Sequence, residues 1–191
     1  DTIEDLQVKR ELDIEEGSLD QEQKKFYKNL FRENSWIKNI SEIGFNIGIS
    51  SNTFLKNQPF SNVVSFDILM HEYVYDAKEF IDKKYPHRHL LIGGDSKLAV
   101  PQFHRKFPNY KFDLIFIDGD HSFYGAKLDI INMRKLSHKR TIMVFDDILP
   151  HKGSGAGPTK AWEYCKSNKI IKNTKIITFS KNKAIGVCNY N

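Results

Sequence analysis

The sequence predicts an α/β fold: a mostly parallel β-sheet with helices on both faces, closed by an antiparallel hairpin near the C-terminus. First, short apolar runs end abruptly in acidic residues or glycine, as buried parallel strands do, most clearly at residues 113–118 and 141–147. Second, stretches with helical periodicity alternate with these runs, which is the order of βα units. Third, the short connection Lys181–Lys183 between the last two runs suits a hairpin.

The N-terminal part of the chain is predicted to form a helical extension or cap over residues 1–35. Phe26, Leu30 and Phe31 recur there at helical spacing. Residues 36–191 are expected to form the main domain, which is long enough to bury a substantial core.

Five βα units and a hairpin follow, which gives seven strands. The apolar runs predict strands at residues 37–43, 62–67, 89–94, 111–118 and 141–147, and hairpin strands at residues 175–180 and 184–190. Helical spacing predicts the intervening helices at residues 46–57, 73–84, 99–107, 124–136 and 158–167. Pro86 and Pro108 end two of these helices, and Pro158 is a favoured first helical residue. Residues 148–157 are rich in glycine and proline and are predicted as a loop, in which residues 153–157 are either a substrate lid or a simple turn.

Composition excludes several classes of protein. The chain is 40% hydrophobic and 28% charged, which is ordinary for a globular domain, and no apolar run is long enough to span a membrane. Cys165 and Cys188 are the two cysteines, so no disulfide framework is implied and a cytoplasmic location is expected. The net charge of +5 is interpreted mainly as solvated surface, although the lysine-rich stretch from 166 to 183 is compatible with a polyanion partner.

Carboxylates follow two of the predicted parallel strands. Asp118 and Asp120 end one strand, and Asp146 and Asp147 end the next. Open α/β sheets bind ligands beyond the carboxyl ends of their strands, so these four side chains are expected at one edge. Like charges repel unless a cation or a proton separates them, and a metal site is therefore predicted.

A glycine-containing turn lies between the first strand and the first helix. Glycines here allow close approach of a ligand, and the helix N-terminus favours an anionic one, although many α/β domains use such a turn only for packing. Asp67, at the end of the second strand, suits the two hydroxyls of a ribose or caps a helix. Asp95 and Ser96 suit an adenine or cap the next helix.

The order of these motifs resembles the class I S-adenosylmethionine-dependent methyltransferases. Glu42-x-Gly44-x-x-x-Gly48, the acid that ends strand two, Gly-Asp95-Ser96 and Phe-Asp-x-Ile-Phe-Ile-Asp118 carry the resemblance over residues 35–190. Asp118-Gly-Asp120-His121 with Asp146-Asp147 is similar to the metal-dependent catechol and macrocin or sugar O-methyltransferases. The resemblance implies a Rossmann-like, doubly wound sheet of seven strands with an antiparallel last strand.

The resemblance also implies a role for each matching residue. S-adenosyl-L-methionine (SAM) would be bound by Glu42, Gly44, Phe45, Asn46, Gly48, Ser50, Asp67, Ile68, Gly94, Asp95, Ser96 and Asp118. Mg²⁺, or another divalent cation, would be bound by Asp118, Asp146 and Asp147, and would acidify and orient a substrate hydroxyl. Asp120 is favoured over His121 as the base that removes the hydroxyl proton. Asn46 replaces a glycine found in many relatives, and asparagine tolerates the left-handed backbone expected there.

The leading functional prediction is methyl transfer to a hydroxyl of a small molecule or sugar. A nucleic-acid methyltransferase is an alternative, but Asp118-Gly-Asp-His stands where amino-methylating enzymes carry Asn/Asp-Pro-Pro-Tyr. A non-catalytic cofactor-binding module is a second alternative, disfavoured by the four clustered carboxylates. A dinucleotide oxidoreductase is disfavoured because the Gly-x-Gly-x-x-Gly spacing is missing. The sequence is compatible with a homodimer and leaves the acceptor open.

Overall fold

Seven strands form one sheet in the computed structural model, which describes residues 19–191. Of the extension predicted over residues 1–35, residues 1–18 lie outside the described residues. The strands are β1 Asn39–Ile43, β2 Asn62–Asp67, β3 His89–Gly93, β4 Phe112–Ile117, β5 Ser137–Phe145, β6 Ile171–Ser180 and β7 Lys183–Tyr190.

The order of the strands is β3-β2-β1-β4-β5-β7-β6. β1 to β5 pair in parallel, whereas β7 runs antiparallel to both β5 and β6. The chain direction across the sheet reverses between β1 and β4, so the crevice at their carboxyl ends is the expected ligand-binding position. This arrangement confirms the predicted doubly wound sheet with its antiparallel hairpin.

Six helices cover the two faces of the sheet within the described part of the chain. They are α1 Gln21–Glu33, α2 Ile49–Asn57, α3 Tyr73–Lys84, α4 Ser96–Lys106, α5 Phe123–Arg134 and α6 Gly153–Ser167. α1, α2 and α3 pack into one apolar cluster with one face of the sheet, and α4, α5 and α6 pack into a second cluster on the other face. No helix in this part of the chain is long and apolar enough to cross a membrane.

The N-terminal helix α1 is docked against the sheet. Asp20 and Gln23 form a capping box at its start, each side chain bonding the backbone N–H of the other residue. Tyr27 and Phe31 are buried in the same core as β1 and β4. Their rings pack edge-to-face on Phe54 of α2. α1 therefore shares the core of the sheet.

Helix α6 begins five residues before the predicted start at Pro158. The segment from Gly153 to Gly157, predicted as a loop, is its first part, so the prediction of a loop was wrong there, while a role as a substrate lid stays a prediction. A Cβ at Gly157 would stand 2.0 Å from the carbonyl oxygen of His121, and one at Gly155 would stand 2.4 Å from the carbonyl oxygen of Leu149. These glycines allow close packing of the helix, which outweighs their low helix propensity.

Candidate functional site

Two cavities open at the carboxyl ends of the central strands. The larger has a volume of about 690 Å³ and the smaller about 340 Å³. Both are lined by Gly44, Asn46, Asp118 and Gly119, which come from the loops after β1 and β4. The cavities therefore meet at the point where the order of the sheet reverses.

The turn after β1 has the left-handed backbone that its glycines predict. Gly44, Asn46 and Gly48 have φ angles of +90°, +49° and +78°. A Cβ at Gly44 would lie 1.9 Å from the carbonyl oxygen of Asp118, so a side chain there would collide with the loop after β4. The turn can approach β4 closely because it has a glycine at this position.

Asp67, at the end of β2, stabilises this turn by hydrogen bonds. Its Oδ2 accepts hydrogen bonds from the backbone N–H groups of Phe45 and Asn46, both at 2.9 Å, and its Oδ1 accepts one from Leu69 at 2.7 Å. Asp67 lines the smaller cavity together with Ile68. Asp67 thus shapes the turn, and its contact with a ribose stays a prediction.

Glu42 is fully buried beneath the turn. Its carboxylate accepts hydrogen bonds from Ser50 at 2.7 Å, from Ser65 at 2.6 Å and from Ser51. Burial raises the pKa of Glu42 from 4.5 to about 7, although the three hydroxyls act in the opposite direction. Glu42 lines neither cavity, whereas Ser50 lines the larger one, so a ligand would meet Ser50 before Glu42.

The buried network continues to His89 at the start of β3. Its Nε2 lies 2.7 Å from the hydroxyl of Ser65, whose hydrogen is donated to Glu42, so Nε2 is the donor. Burial lowers the pKa of His89 from 6.5 to about 3, which keeps the ring neutral. Phe45 stacks on this ring with centroids 4.9 Å apart and is itself buried, and Gly48 caps α2. Phe45 and Gly48 therefore support the turn and line neither cavity.

The start of α4 forms the far wall of the smaller cavity. Gly94, Asp95 and Ser96 all line it, as predicted for an adenine site. Asp95 is also the N-cap of α4, because its Oδ1 accepts a hydrogen bond from the backbone N–H of Lys97 at 2.9 Å. The ammonium of Lys97 lies 3.1 Å from the same oxygen. The capping interpretation of Asp95 is therefore confirmed, and cofactor contact stays a prediction.

Three of the predicted polar residues converge in the larger cavity. One ligand atom each from Asp118, His121 and Asp147 lies within 4.8 Å of the other two. His121 Nε2 is 3.0 Å from Asp147 Oδ2 and 4.0 Å from Asp118 Oδ1. Asp118 and Asp147 together raise the pKa of His121 from 6.5 to about 10, so the ring is cationic at neutral pH in this form.

Asp146 lines the larger cavity beside this group without belonging to it. Its Oδ1 accepts a hydrogen bond from the backbone N–H of Asp147 at 2.8 Å, and Asp147 has a φ of +60°. Burial, followed by repulsion from Asp118 and Asp147, raises the pKa of Asp146 well above its usual value. The charge of Lys183 partly offsets this repulsion, and the predicted metal site stays a prediction.

Asp120 lies on the smaller cavity instead. Its Oδ1 accepts a hydrogen bond from the backbone N–H of Ser122 at 2.8 Å, and its Oδ2 lies 3.4 Å from the ammonium of Lys97. Burial raises the pKa of Asp120, but the bonds from Ser122 and Lys97 outweigh it and hold the pKa below 3.8. Asp120 is therefore a weaker base than a free aspartate and lines the smaller cavity, and the choice between Asp120 and His121 as the base stays a prediction.

Several residues on the larger cavity were missed from the sequence. Leu19 and Asp20 come from the start of α1, Lys152 and Ser154 from the start of α6, and the hairpin turn supplies Ser180, Asn182 and Lys183. The hairpin residues could have been predicted, because a last strand that runs antiparallel to β5 must begin at the carboxyl edge of the parallel strands.

The position of Tyr27 of α1 close to the acidic residues was also not predicted from the sequence. Its buried hydroxyl has no hydrogen-bond partner among residues 19–191. Burial, followed by the charges of Asp146, Asp118 and Glu42, raises its pKa well above 10.

Comparison with known proteins agrees with this geometry. A family described as a methyltransferase domain matches residues 41–148, more than half of the chain. An O-methyltransferase from Bacillus cereus in complex with SAH has a TM-score of 0.79 at 20% identity, over 98% of this chain and 90% of that chain. An O-methyltransferase from Streptomyces achromogenes involved in tomaymycin synthesis, in complex with SAM, has a TM-score of 0.78 at 16% identity, over 99% and 88%.

The TDP-rhamnose 3'-O-methyltransferase of calicheamicin biosynthesis has a TM-score of 0.69 at 18% identity, over 87% of this chain and 80% of that chain. No curated protein sequence matches. At these identities the likeness to solved structures shows the fold, and it confirms the Rossmann-like sheet expected from the resemblance.

Proposed function

Because this chain belongs to the methyltransferase-domain family, we propose that it transfers a methyl group from SAM to a hydroxyl of a small molecule or sugar. The observation that carries the proposal is the junction of two cavities at Gly44 and Asp118. A donor in the smaller cavity can then present its methyl group to an acceptor in the larger one. Such a transfer gains much of its rate from alignment of the two reactants.

The smaller cavity is proposed to hold the adenosine part of SAM. Asp67 offers a carboxylate oxygen for the ribose, and Asp95 and Ser96 line the place for the base. The methionine part would extend past Gly44 and Asn46 toward Ser50, where the larger cavity begins. Glu42 would act on this part through Ser50, whose hydroxyl it holds at 2.7 Å.

The acidic residues of the larger cavity fit a hard divalent cation. Asp118 and Asp147 offer converging carboxylate oxygens, and Asp146 adds a carboxylate whose ionisation is unfavourable without a positive charge nearby. When bound, such a cation supplies positive charge that lowers the pKa of a nearby acceptor hydroxyl and of His121. Mg²⁺ is the cation we propose, because all three side chains are oxygen donors.

His121 is proposed as the base. It lies on the larger cavity, where the acceptor would bind, whereas Asp120 lies on the other cavity. Its Nε2 faces Asp118 and Asp147, and the neutral ring would accept the hydroxyl proton at this nitrogen.

Binding and turnover test the proposal separately. Calorimetry with S-adenosylhomocysteine (SAH) should show binding to the wild type, and its absence would overturn the proposal. Transfer of labelled methyl from SAM to a panel of catechols and sugar nucleotides should require Mg²⁺ and should fall at least about a hundredfold in His121→Ala, but less than tenfold in Asp120→Ala. Glu79→Gln, on an exposed side chain of α3 in an ion pair with Lys83, is the matched control. Turnover that survives chelation would remove the cation from the mechanism.

Nothing within residues 19–191 favours the alternatives. The lysines of β6 lie mostly exposed on an edge strand, and neither of the two cavities is lined by them. A non-catalytic cofactor-binding module would have no need of a second cavity, lined by clustered carboxylates, next to the cofactor cavity.

A further inference from the structure

Asp129 is a fully buried carboxylate beneath the smaller cavity. It belongs to α5, and its Oδ1 accepts a hydrogen bond of 2.6 Å from the hydroxyl of Ser96. Its Oδ2 has no hydrogen-bond partner among residues 19–191. A Cβ at Gly119 would lie 2.8 Å from that oxygen, so Asp129 reaches this position because residue 119 is glycine. The side chain lies directly under the cavity that Gly119 and Ser96 line.

The carboxylate determines which atom Ser96 presents to a ligand. A serine hydroxyl has one hydrogen, and a carboxylate can only accept. The hydrogen of Ser96 is therefore committed to Asp129, and the lone pairs of its oxygen remain for the cavity. A ligand group opposite Ser96 must then be a donor, because an acceptor there would face an acceptor.

We infer that Asp129 is a positioning residue that makes the smaller cavity select a purine with a 6-amino group over one with a 6-carbonyl group. The inference rests on the proposed function, in which this cavity holds the adenosine of SAM. The 6-amino group of adenine donates to Ser96, whereas the 6-oxygen of hypoxanthine leaves two acceptors in contact. Mispairing of this kind costs at least about tenfold in affinity.

Asp95, next to Ser96, is a second acceptor on the cavity. Its Oδ1 is held by the backbone N–H and the ammonium of Lys97, and the Ser96→Ala variant separates the contribution of Asp95 from that of Ser96. Burial raises the pKa of Asp129 to about 7, Lys97 opposes this, and Asp120 and Asp95 reinforce it. A measurement at about pH 8.5 therefore examines the ionised carboxylate.

Asparagine at position 129 should reverse the direction of the hydrogen bond between this side chain and Ser96. Its amide nitrogen is expected to face Ser96, because at the position of Oδ2 both of its hydrogens would be buried without a partner. The hydroxyl of Ser96 would then accept from the amide and donate into the cavity. Asp129→Asn should thus favour the 6-carbonyl purine, and Ser96→Ala should remove the preference.

Calorimetry with SAH and S-inosylhomocysteine at about pH 8.5 tests the inference. The wild type should bind SAH at least about tenfold more tightly, Asp129→Asn should lose or invert this ratio, and Ser96→Ala should bring it near one. Asp82→Asn, an exposed aspartate of α3, should keep the wild-type ratio. An unchanged ratio in Ser96→Ala, or in a folded Asp129→Asn, would overturn the inference, as would a wild type that binds both ligands equally. Failure of the wild type to bind SAH at all would count against the proposed function instead.

Discussion

Glu42→Gln should alter the pH dependence of folding more than folding itself. Glutamine has the size of the glutamate side chain, so it can accept hydrogen bonds from Ser51 and Ser65 at one end and donate to Ser50 at the other. It cannot ionise. The substitution therefore removes the cost of a buried carboxylate while leaving the packing beneath the glycine turn in place.

The sign and size of the effect follow from the raised pKa. An unfolded glutamate ionises near pH 4.5, whereas the pKa of folded Glu42 is about 7. Between these values the folded state binds more protons than the unfolded state, so stability falls as the pH rises and stays reduced above about pH 7. The difference corresponds to about 3 kcal/mol. We expect Glu42→Gln to match or fall slightly below the wild type at about pH 4.5, and to exceed it by up to about 3 kcal/mol at about pH 8.5.

Urea unfolding of both proteins across this pH range is the assay. His89 and His121 also contribute to the pH dependence, but they are present in both proteins, so their contributions cancel in the difference. Glu79→Gln, on a side chain that is 65% exposed, should give a difference that does not change with pH. A difference between Glu42→Gln and the wild type that is equally flat would refute the reasoning.

Two further substitutions examine the rest of the site. Gly44→Ala puts a Cβ 1.9 Å from the carbonyl oxygen of Asp118 at a φ of +90°. We therefore expect its free energy of unfolding in urea to fall by at least about 2 kcal/mol and SAH binding to be absent by calorimetry. Gly153→Ala, where a Cβ meets nothing within 4 Å, should keep the wild-type stability and SAH binding. Asp146→Asn removes a carboxylate whose raised pKa makes its ionisation destabilising as the pH rises, so with chelator at about pH 8 the variant should be more stable than the wild type in urea unfolding. Its thermal stabilisation by Mg²⁺ should shrink, and an unchanged Mg²⁺ response would show that Asp146 takes no part in cation binding.

The fold was predictable because its signals are local. Each parallel strand is a short apolar run, and β2 and α3 begin and end where the sequence predicted. The predicted start of α6 lay five residues too far along the chain, because glycines within a segment normally argue against a helix. These glycines are explained by close contact with distant backbone, which no local sequence pattern contains. β5 begins at Ser137, earlier than predicted, where His138 bonds Asp113 at 2.9 Å from the neighbouring strand.

The site was predictable in its position and less so in its details. Parallel strands that end in acids had to bring Asp118 and Asp147 to one edge, and they do. Asp120 turns away because Ser122 and Lys97 hold it, and the approach of Lys97 from α4 cannot be read from spacing. Tyr27 was missed for the same reason, since its place beside the acids depends on how α1 docks.

Two segments that line the larger cavity, the start of α1 and the β6–β7 hairpin, are in contact with each other although they are far apart in the sequence. The ammonium of Lys183 in the hairpin is 3.2 Å from Oε1 of Gln23 in α1, and Phe179 packs edge-to-face on Phe26 with centroids 6.0 Å apart. Neither segment lines the smaller cavity. If the larger cavity binds the acceptor, exchanging α1 and the hairpin together between relatives should transfer the acceptor preference. A chimera that exchanges only one of the two segments would lose the contacts between Lys183 and Gln23 and between Phe179 and Phe26.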